Sequence, residues 1–129
     1  MEYLYCFATA SLTLRVVERI RAIRNLPIQF VTVIHQIDGW VVRIKTSVLL
    51  PRGQDLDLRA FLAELGIPYQ PGRRIRMALW SLELGEPPVQ VMRTYQVAVV
   101  SHGCPDSGEI EEFRRQFISG LGYCPATLT

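Results

Sequence analysis

The amino-acid sequence predicts a single α+β domain in which helices pack on a mainly antiparallel sheet. Asp38-Gly39 separates two apolar, β-branched runs within Ile28–Leu49, and this dipeptide favours a two-residue hairpin turn. Segments with the 3.6-residue apolar period of a helix lie on both sides of the hairpin. A length of 129 residues suits one domain. We place it at residues 1–124 and expect 125–129 to be a flexible C-terminal tail.

The predicted hairpin has one face suited to a core and one mixed face. A turn at Asp38-Gly39 places Ile37 opposite Trp40 and leaves His35 on the core face, as a buried or rim histidine. The mixed face should be polar if water covers it, yet it retains large apolar residues. We therefore expect another element, a second subunit or a partner to cover it. The core face carries Val31, Val33, Ile37, Trp40, Val42, Ile44 and Val48, and the apolar residues of the mixed face are Ile28, Phe30, Ile34 and Val41.

The first strand is predicted at Glu2–Ala8, where aromatic residues alternate with smaller ones. Tyr3, Tyr5 and Phe7 share one face of this strand. The alternation does not decide which face is buried, so the aromatic rings can belong to the core or to a contact surface.

Three helices are predicted from apolar stripes at helical spacing. Ser11–Asn25 is the first, and Asp55–Leu65 is the second, followed by Gly66 as a typical terminating residue. Ser107–Leu121 is the third, with Asp106 as its N-cap.

Both the helical and the strand period fit Arg73–Leu84, and we favour a strand. A Gly- and Pro-containing turn at 85–88 leads into Val89–Val100, which we also predict as a strand, so the two would form a second hairpin. The element order is then β-α-β-β-α-β-β-α. Its first six elements follow the ferredoxin-like βαββαβ plan. The predicted fold is that plan with an extra strand and a C-terminal helix packed on the sheet.

Composition limits the classes of function. The formal net charge of +2 is too small to indicate nucleic-acid binding by itself. No apolar run is long enough to span a bilayer, and no signal-peptide pattern is present, so we expect a cytoplasmic protein without a membrane partner. Cys6, Cys104 and Cys124 are odd in number and widely spaced, which favours reduced thiols. No spacing of residues indicates a metal or a cofactor.

The most catalytic-looking segment is His102-Gly103-Cys104, because a helix N-terminus and a nearby histidine can activate a thiol. No carboxylate is placed to orient the imidazole, since Asp106 is expected to cap a helix. We therefore predict no catalytic residues and a protein that is not an enzyme, with thiol chemistry at Cys104 as the minor alternative.

The partly apolar sheet face favours a non-catalytic module that acts in protein interaction, regulation or assembly. We expect a homodimer, or association with another cytoplasmic protein, through an interface centred on Phe30, Ile34, Val41, Arg43 and Lys45. Three arginines after the second helix are candidates for binding a phosphate or a carboxylate if they converge. They are Arg73, Arg74 and Arg76.

Two alternatives remain open. RNA-recognition-type sheets stack bases on strand aromatics, and here Tyr3, Tyr5 and Phe7 could do so beside Arg43 and Lys45. That analogy is one of fold alone, because the third strand has no aromatic residue at the stacking positions. Residues 14–48 are similar in rhythm to small-molecule-sensing domains of the ACT type, which share the βαββαβ plan. The first loop of those domains is acidic and contains Pro or Gly, whereas residues 9–11 here are Thr-Ala-Ser.

Overall fold

A computed structural model of residues 1–129 shows an α+β fold with a five-stranded antiparallel sheet and five α-helices. The strand order β4-β1-β3-β2-β5 is consistent with a ferredoxin-like plan that has an extra strand at one edge and a C-terminal helix, which confirms the predicted fold class. In chain order the elements are β1 Glu2–Phe7, α1 Ala10–Ala22, β2 Ile28–Gln36, β3 Gly39–Thr46, α2 Arg52–Leu65, β4 Ile67–Pro68, α3 Arg73–Glu83, α4 Pro88–Tyr95, β5 Ala98–Gly103, α5 Ser107–Leu121 and a 3₁₀ turn at Ala126–Leu128.

The β2–β3 hairpin exists, but its predicted turn is wrong by one position. Gln36 pairs with Gly39, so the turn residues are Ile37 and Asp38, and neither has a positive φ. Gly39 is needed for close approach instead, because a Cβ there would lie 3.0 Å from Cys6 Sγ and from the Phe7 carbonyl oxygen. Every predicted partner along the hairpin therefore shifts by two residues.

A shift of two preserves which face each side chain occupies, so most of the predicted core face is correct. Trp40 now lies opposite His35 rather than Ile37. Ile37 is at the hairpin tip, 97% exposed, and Val48 lies beyond β3 and is also exposed, so placing these two in the core was wrong.

The larger core lies between one face of the sheet and α1, α2 and α5. Tyr3, Tyr5 and Phe7 point into it, which settles the orientation of the first strand. The last residues also contribute, because Leu128 in the 3₁₀ turn is fully buried in this core. Within the segment 125–129, where a flexible tail is expected, residues 126–128 thus form a turn that packs on this core through Leu128.

Residues 73–95 form two helices rather than the predicted hairpin. Ile75, Ala78, Leu79 and Leu82 are buried at helical spacing, and this stripe packs α3 on the second sheet face. Pro88 occupies the first turn of α4, which tolerates proline. The predicted strand Val89–Val100 is thus wrong over most of its length, and β5 is confined to Ala98–Gly103.

The other predicted helices are close to those observed. The Thr9 side chain accepts a hydrogen bond from the Leu12 N–H and begins α1, which ends at Ala22 rather than at Asn25. The Asp106 side chain accepts from the Gly108 N–H at 2.8 Å and begins α5 at the predicted residue. None of the helices combines the length and the apolar character that crossing a bilayer requires.

Candidate functional site

The mixed face of the hairpin is covered by the chain itself. Ile34 and Val41 are fully buried in a second, smaller core beneath α3 and α4, where Ile75 and Leu82 pack against the sheet. Phe30 is also buried. The residues chosen as an interface therefore do not form an open surface, because the segment that was expected to extend the sheet folds over it as helices.

Arg43 and Lys45 bind α3 to the sheet. Arg43 Nη2 donates hydrogen bonds to Glu83 Oε2 at 2.9 Å and to Glu2 Oε2 at 3.1 Å, and Nη1 donates to the Leu79 carbonyl oxygen at 3.4 Å. Lys45 Nζ pairs with the other oxygen of Glu83. Arg43 Nε forms an ion pair with Glu2 at 3.0 Å without making a hydrogen bond. These two cations are thus structural partners of carboxylates within the chain.

The rings considered for RNA stacking are not accessible. Tyr3, Tyr5 and Phe7 are all buried in the larger core. The Tyr3 hydroxyl donates a hydrogen bond to Asp55 Oδ1 at 2.7 Å. Burial and this bond both raise the pKa of Tyr3, and the same bond lowers the pKa of Asp55. Base stacking on this strand would require α1 and α2 to leave the sheet.

The His102-Gly103-Cys104 segment does not assemble a thiol–imidazole pair. His102 Nδ1 and the Thr32 hydroxyl share a hydrogen bond of 2.7 Å, and the imidazole packs against the Phe30 ring. Burial lowers the pKa of His102, and the nearby Arg43 lowers it further. Cys104 is exposed, and no hydrogen bond joins it to His102. Asp106 caps α5, as expected.

His35 lies at the rim of the larger core beside a surface cleft. Its ring packs against Trp40, Phe113 and Phe117, and Nε2 lies 3.3 Å from the Thr127 hydroxyl. Burial lowers the pKa of His35. The cleft has a volume of about 670 Å³, and its lining includes Ile34, His35, Gln36, Arg74, Val97 and Phe117. No group of three or more His, Cys, Asp or Glu residues could hold a metal ion there or elsewhere in the chain.

Two of the three candidate anion-binding arginines, Arg73 and Arg74, line one open surface pocket, and Arg76 does not. Arg74 Nη1 donates to the Gln96 carbonyl oxygen at 2.8 Å, at the left-handed residue that ends α4. Arg73 and Arg76 are exposed on the outside of α3 and have no ion-pair partner. Arg74 therefore makes a contact within the fold, whereas the guanidinium groups of Arg73 and Arg76 remain free.

The outside of α3 presents two large apolar residues to solvent. Trp80 is 55% exposed and Leu84, the C-cap residue, is 70% exposed. Helical spacing places Arg73, Met77, Trp80 and Leu84 along one stripe, opposite the buried residues of the helix. We call the set Arg73, Arg76, Met77, Trp80 and Leu84 the outer α3 surface.

The strand prediction concealed this surface. A strand at Arg73–Leu84 would place Trp80, Leu82 and Leu84 on one face, whereas the helix buries Leu82 and exposes the other two. The signal that could have found it is the spacing of Ile75, Ala78, Leu79 and Leu82, which matches i, i+3, i+4, i+7. A helix assigned from that spacing would have placed Trp80 on the solvent side, where a tryptophan is conspicuous.

Charge is divided along α3. Its first turn carries Arg73, Arg74 and Arg76 and no acid, whereas Glu83, which pairs with Arg43 and Lys45, is its last residue and Glu86 lies three residues beyond it. A helix N-terminus already carries partial positive charge and a C-terminus partial negative charge. The side chains therefore reinforce the helix dipole instead of offsetting it.

Comparison with known proteins adds no assignment. No protein-family model matches the chain, and neither the curated proteins nor the solved structures contain a match.

Proposed function

We propose that this protein is a non-catalytic association module that forms a homodimer through the outer α3 surface. The observation that carries the proposal is the exposure of Trp80 and Leu84 between free arginines at one end of α3 and a free carboxylate, Glu86, just beyond the other. Trp and Arg are enriched among the residues that dominate binding energy at protein interfaces.

Apolar burial supplies the driving force. A large aromatic side chain buries roughly 150–250 Å² when it is fully covered. Each Å² of apolar area removed from water stabilises by about 25 cal/mol, so covering the exposed part of Trp80 in a dimer would favour association. Leu84 and the half-buried Met77 extend the apolar stripe on both sides of Trp80. Contact with a second stripe removes all three from water.

Charge selects a second copy as the partner. In a two-fold arrangement the same surface is used by both subunits, so the surface must complement itself. Antiparallel contact of two α3 helices around Trp80 brings the basic end of each helix beside the acidic end of the other. Arg73 and Arg76 then approach Glu86 of the second copy, and the two reinforced helix dipoles oppose each other.

The free state of the cysteines suits a reducing compartment, and we place the dimer in the cytoplasm. Cys6 is half-buried, Cys104 and Cys124 are exposed, and none of them forms a disulfide.

Replacement of Trp80 tests the proposed interface. Trp80→Glu puts a charge at the centre of the surface and should convert a dimer into a monomer in light scattering behind a sizing column. Leu56→Glu is the matched control, because Leu56 is 54% exposed on α2, on the opposite side of the sheet. A Trp80→Glu protein that remains dimeric with native far-UV circular dichroism contradicts the proposed interface.

Charge reversal tests the proposed orientation. Arg76→Glu and Glu86→Arg should each weaken the dimer, because each places like charges side by side. The double variant exchanges the two charges and should restore dimer formation. The antiparallel arrangement would be contradicted if both single variants form weaker dimers and the double variant does not recover dimer formation.

A second candidate function is small-molecule sensing, and the cleft beside His35 is the observation that favours it. Its volume of about 670 Å³ lies within the range typical of small-ligand pockets. A small carboxylic acid that also has an amino group and an apolar body would suit the lining, because Arg74 complements a carboxylate, Asp38 complements an ammonium group and the Phe117 ring is apolar. A set of such acids that leaves the thermal unfolding temperature unchanged at high concentration would remove this candidate.

A further inference from the structure

The two edges of the sheet differ in how they are protected. β4 is an edge of only two residues, Ile67–Pro68, and its proline cannot donate to a further strand. β5 is the other edge and is six residues long, Ala98–Gly103, with no proline and no charged residue. Natural proteins usually shield such an edge, because its free N–H and C=O groups pair readily with another strand.

The outer backbone groups of β5 are not used within the chain. The strand pairs with β2 on one side, and no other hydrogen bond of the structure involves the backbone of Ala98–Gly103. The one feature that interrupts the edge is a bulge at Val100, where Ser101 pairs with Val33 and Val99 pairs with Ile34. This residue has no partner on β2.

A groove runs along this edge between β5 and α5, with a volume of about 400 Å³. Val100 and Phe113 give it an apolar floor. Its other lining residues include three carboxylates, Asp106, Glu109 and Glu112, and no cation. Asp106 also caps α5, and Glu112 also pairs with Arg115 on the same helix, so Glu109 is the carboxylate without a competing charge partner. Burial and the neighbouring Asp106 both raise the pKa of Glu109, so this groove favours an occupant that brings positive charge.

We propose that the free edge of β5 binds an extended, lysine- or arginine-containing segment of a partner protein, which adds to the sheet as a sixth strand. Backbone hydrogen bonds to β5 supply affinity, and alternate side chains of the segment enter the groove, where cationic ones meet the three carboxylates. A second copy of this chain is the poorer occupant, since pairing β5 with itself would bring the two acidic rows side by side.

This inference is independent of self-association through α3, because α3 and the groove lie on opposite faces of the sheet. The two surfaces can therefore be occupied together, and each can be removed without the other.

An alternating valine–lysine peptide of about eight residues, slightly longer than a typical strand, is the probe. Fluorescence anisotropy of the labelled peptide at low and moderate salt should show saturable, salt-sensitive binding, and a valine–glutamate peptide should not bind. The same valine–lysine peptide with its alternate backbone amides methylated retains its charge but cannot pair with an edge, so its binding should be lost. Equal binding of the methylated peptide, or no binding of the unmodified one at low salt, overturns the proposal.

Variants locate the contact without altering the fold. Glu109→Gln combined with Glu112→Gln should weaken binding about five- to tenfold, since each exposed charge pair contributes a modest amount. Glu111→Gln is the matched control, because Glu111 lies on the same helix but does not line the groove. Trp80→Glu should bind the peptide as the wild type does. Loss of binding in Trp80→Glu, or in Glu111→Gln to the same extent as in the double variant, overturns the assignment to β5.

Discussion

Arg43 Nη2 lies 2.9 Å from Glu83 Oε2, and this ion pair joins the third strand of the sheet to the last turn of α3. The Arg43 side chain is nearly buried and the Glu83 side chain is mostly buried. The pair fixes the rotation of α3 about its axis, because Glu83 must point to the sheet for the contact to form. That rotation in turn leaves Trp80 on the outside.

Glu83→Gln tests how much this contact stabilises the fold. Removing the charge leaves Arg43 and Lys45 without their shared carboxylate, and we expect the free energy of unfolding to fall by about 2 kcal/mol, somewhat less than for a fully buried pair. Urea denaturation measures the change. Glu64→Gln, at an exposed carboxylate of α2 that has no intrachain partner and lies outside the outer α3 surface, should change stability by less than about 0.5 kcal/mol. Equal effects of the two substitutions would show that the Arg43 contact does not hold α3.

Gly66 tests the packing of the turn after α2 against β1. A Cβ at Gly66 would collide with the Cys6 carbonyl oxygen and with the Phe7 ring, so Gly66→Ala must displace backbone or a core ring. We expect a loss of about 2–3 kcal/mol in the free energy of unfolding. Gly53→Ala is the control, because no atom lies within 4 Å of its Cβ and alanine favours the helix. It should be neutral or stabilising, and a tolerated Gly66→Ala would contradict the observed contact.

The two histidines predict how stability depends on pH. Burial lowers the pKa of both His35 and His102 below the ordinary value of 6.5, so the unfolded chain takes up protons at a higher pH than the folded chain. The contribution of the two neutral histidines to the free energy of unfolding is therefore fully present above about pH 6.5. It is lost as the pH decreases from that value through the lower pKa values of the folded state. Chemical denaturation at a series of pH values measures this fall. His35→Gln with His102→Gln should flatten the profile in that window, and a wild-type profile that rises toward acid pH would contradict the burial of both rings.

Leu128 tests whether the end of the chain is part of the core. Leu128→Ala should lower the free energy of unfolding by about 2–3 kcal/mol, the usual cost of truncating a buried leucine. Leu121→Ala, at a half-exposed leucine of α5, should have a clearly smaller effect. Thermal and urea unfolding of both variants make the comparison, and a Leu128→Ala protein as stable as the wild type would mean that the last residues do not pack in solution.

The spacing of apolar residues predicted the elements correctly where it fits only one of the two periods, helical or strand. The stripe of α5 and the cap at Asp106 gave its bounds correctly, and the alternation in β1 identified a strand. Arg73–Leu84 failed because its apolar residues fit two periods, and the choice rested on a neighbouring segment that was itself misassigned. That error also placed the candidate interface on the mixed sheet face. A strand at 73–84 would leave that face open, whereas the observed helix α3 covers it.

Glycine shows a second limit of prediction from the sequence. Asp38-Gly39 suggested a turn, but Gly39 serves the contact with Cys6 and Phe7 across the sheet. The need for a glycine at position 39 comes from packing against β1, which is distant in sequence. The residues that flank Gly39 along the chain therefore do not reveal it. The long-range pairs of Arg43 with Glu83 and of Trp40 Nε1 with the Thr127 carbonyl oxygen are hidden from local pattern for the same reason.

Self-association through α3 is the central claim, and the absolute mass of the wild-type protein in solution tests it most directly. Light scattering behind a sizing column, over a concentration series, should give twice the 14.7 kDa of one chain at the upper concentrations. It should also show dissociation as ionic strength rises, because the Arg76 and Glu86 contacts are exposed to salt. A mass of one chain at every concentration and at low salt would contradict the claim.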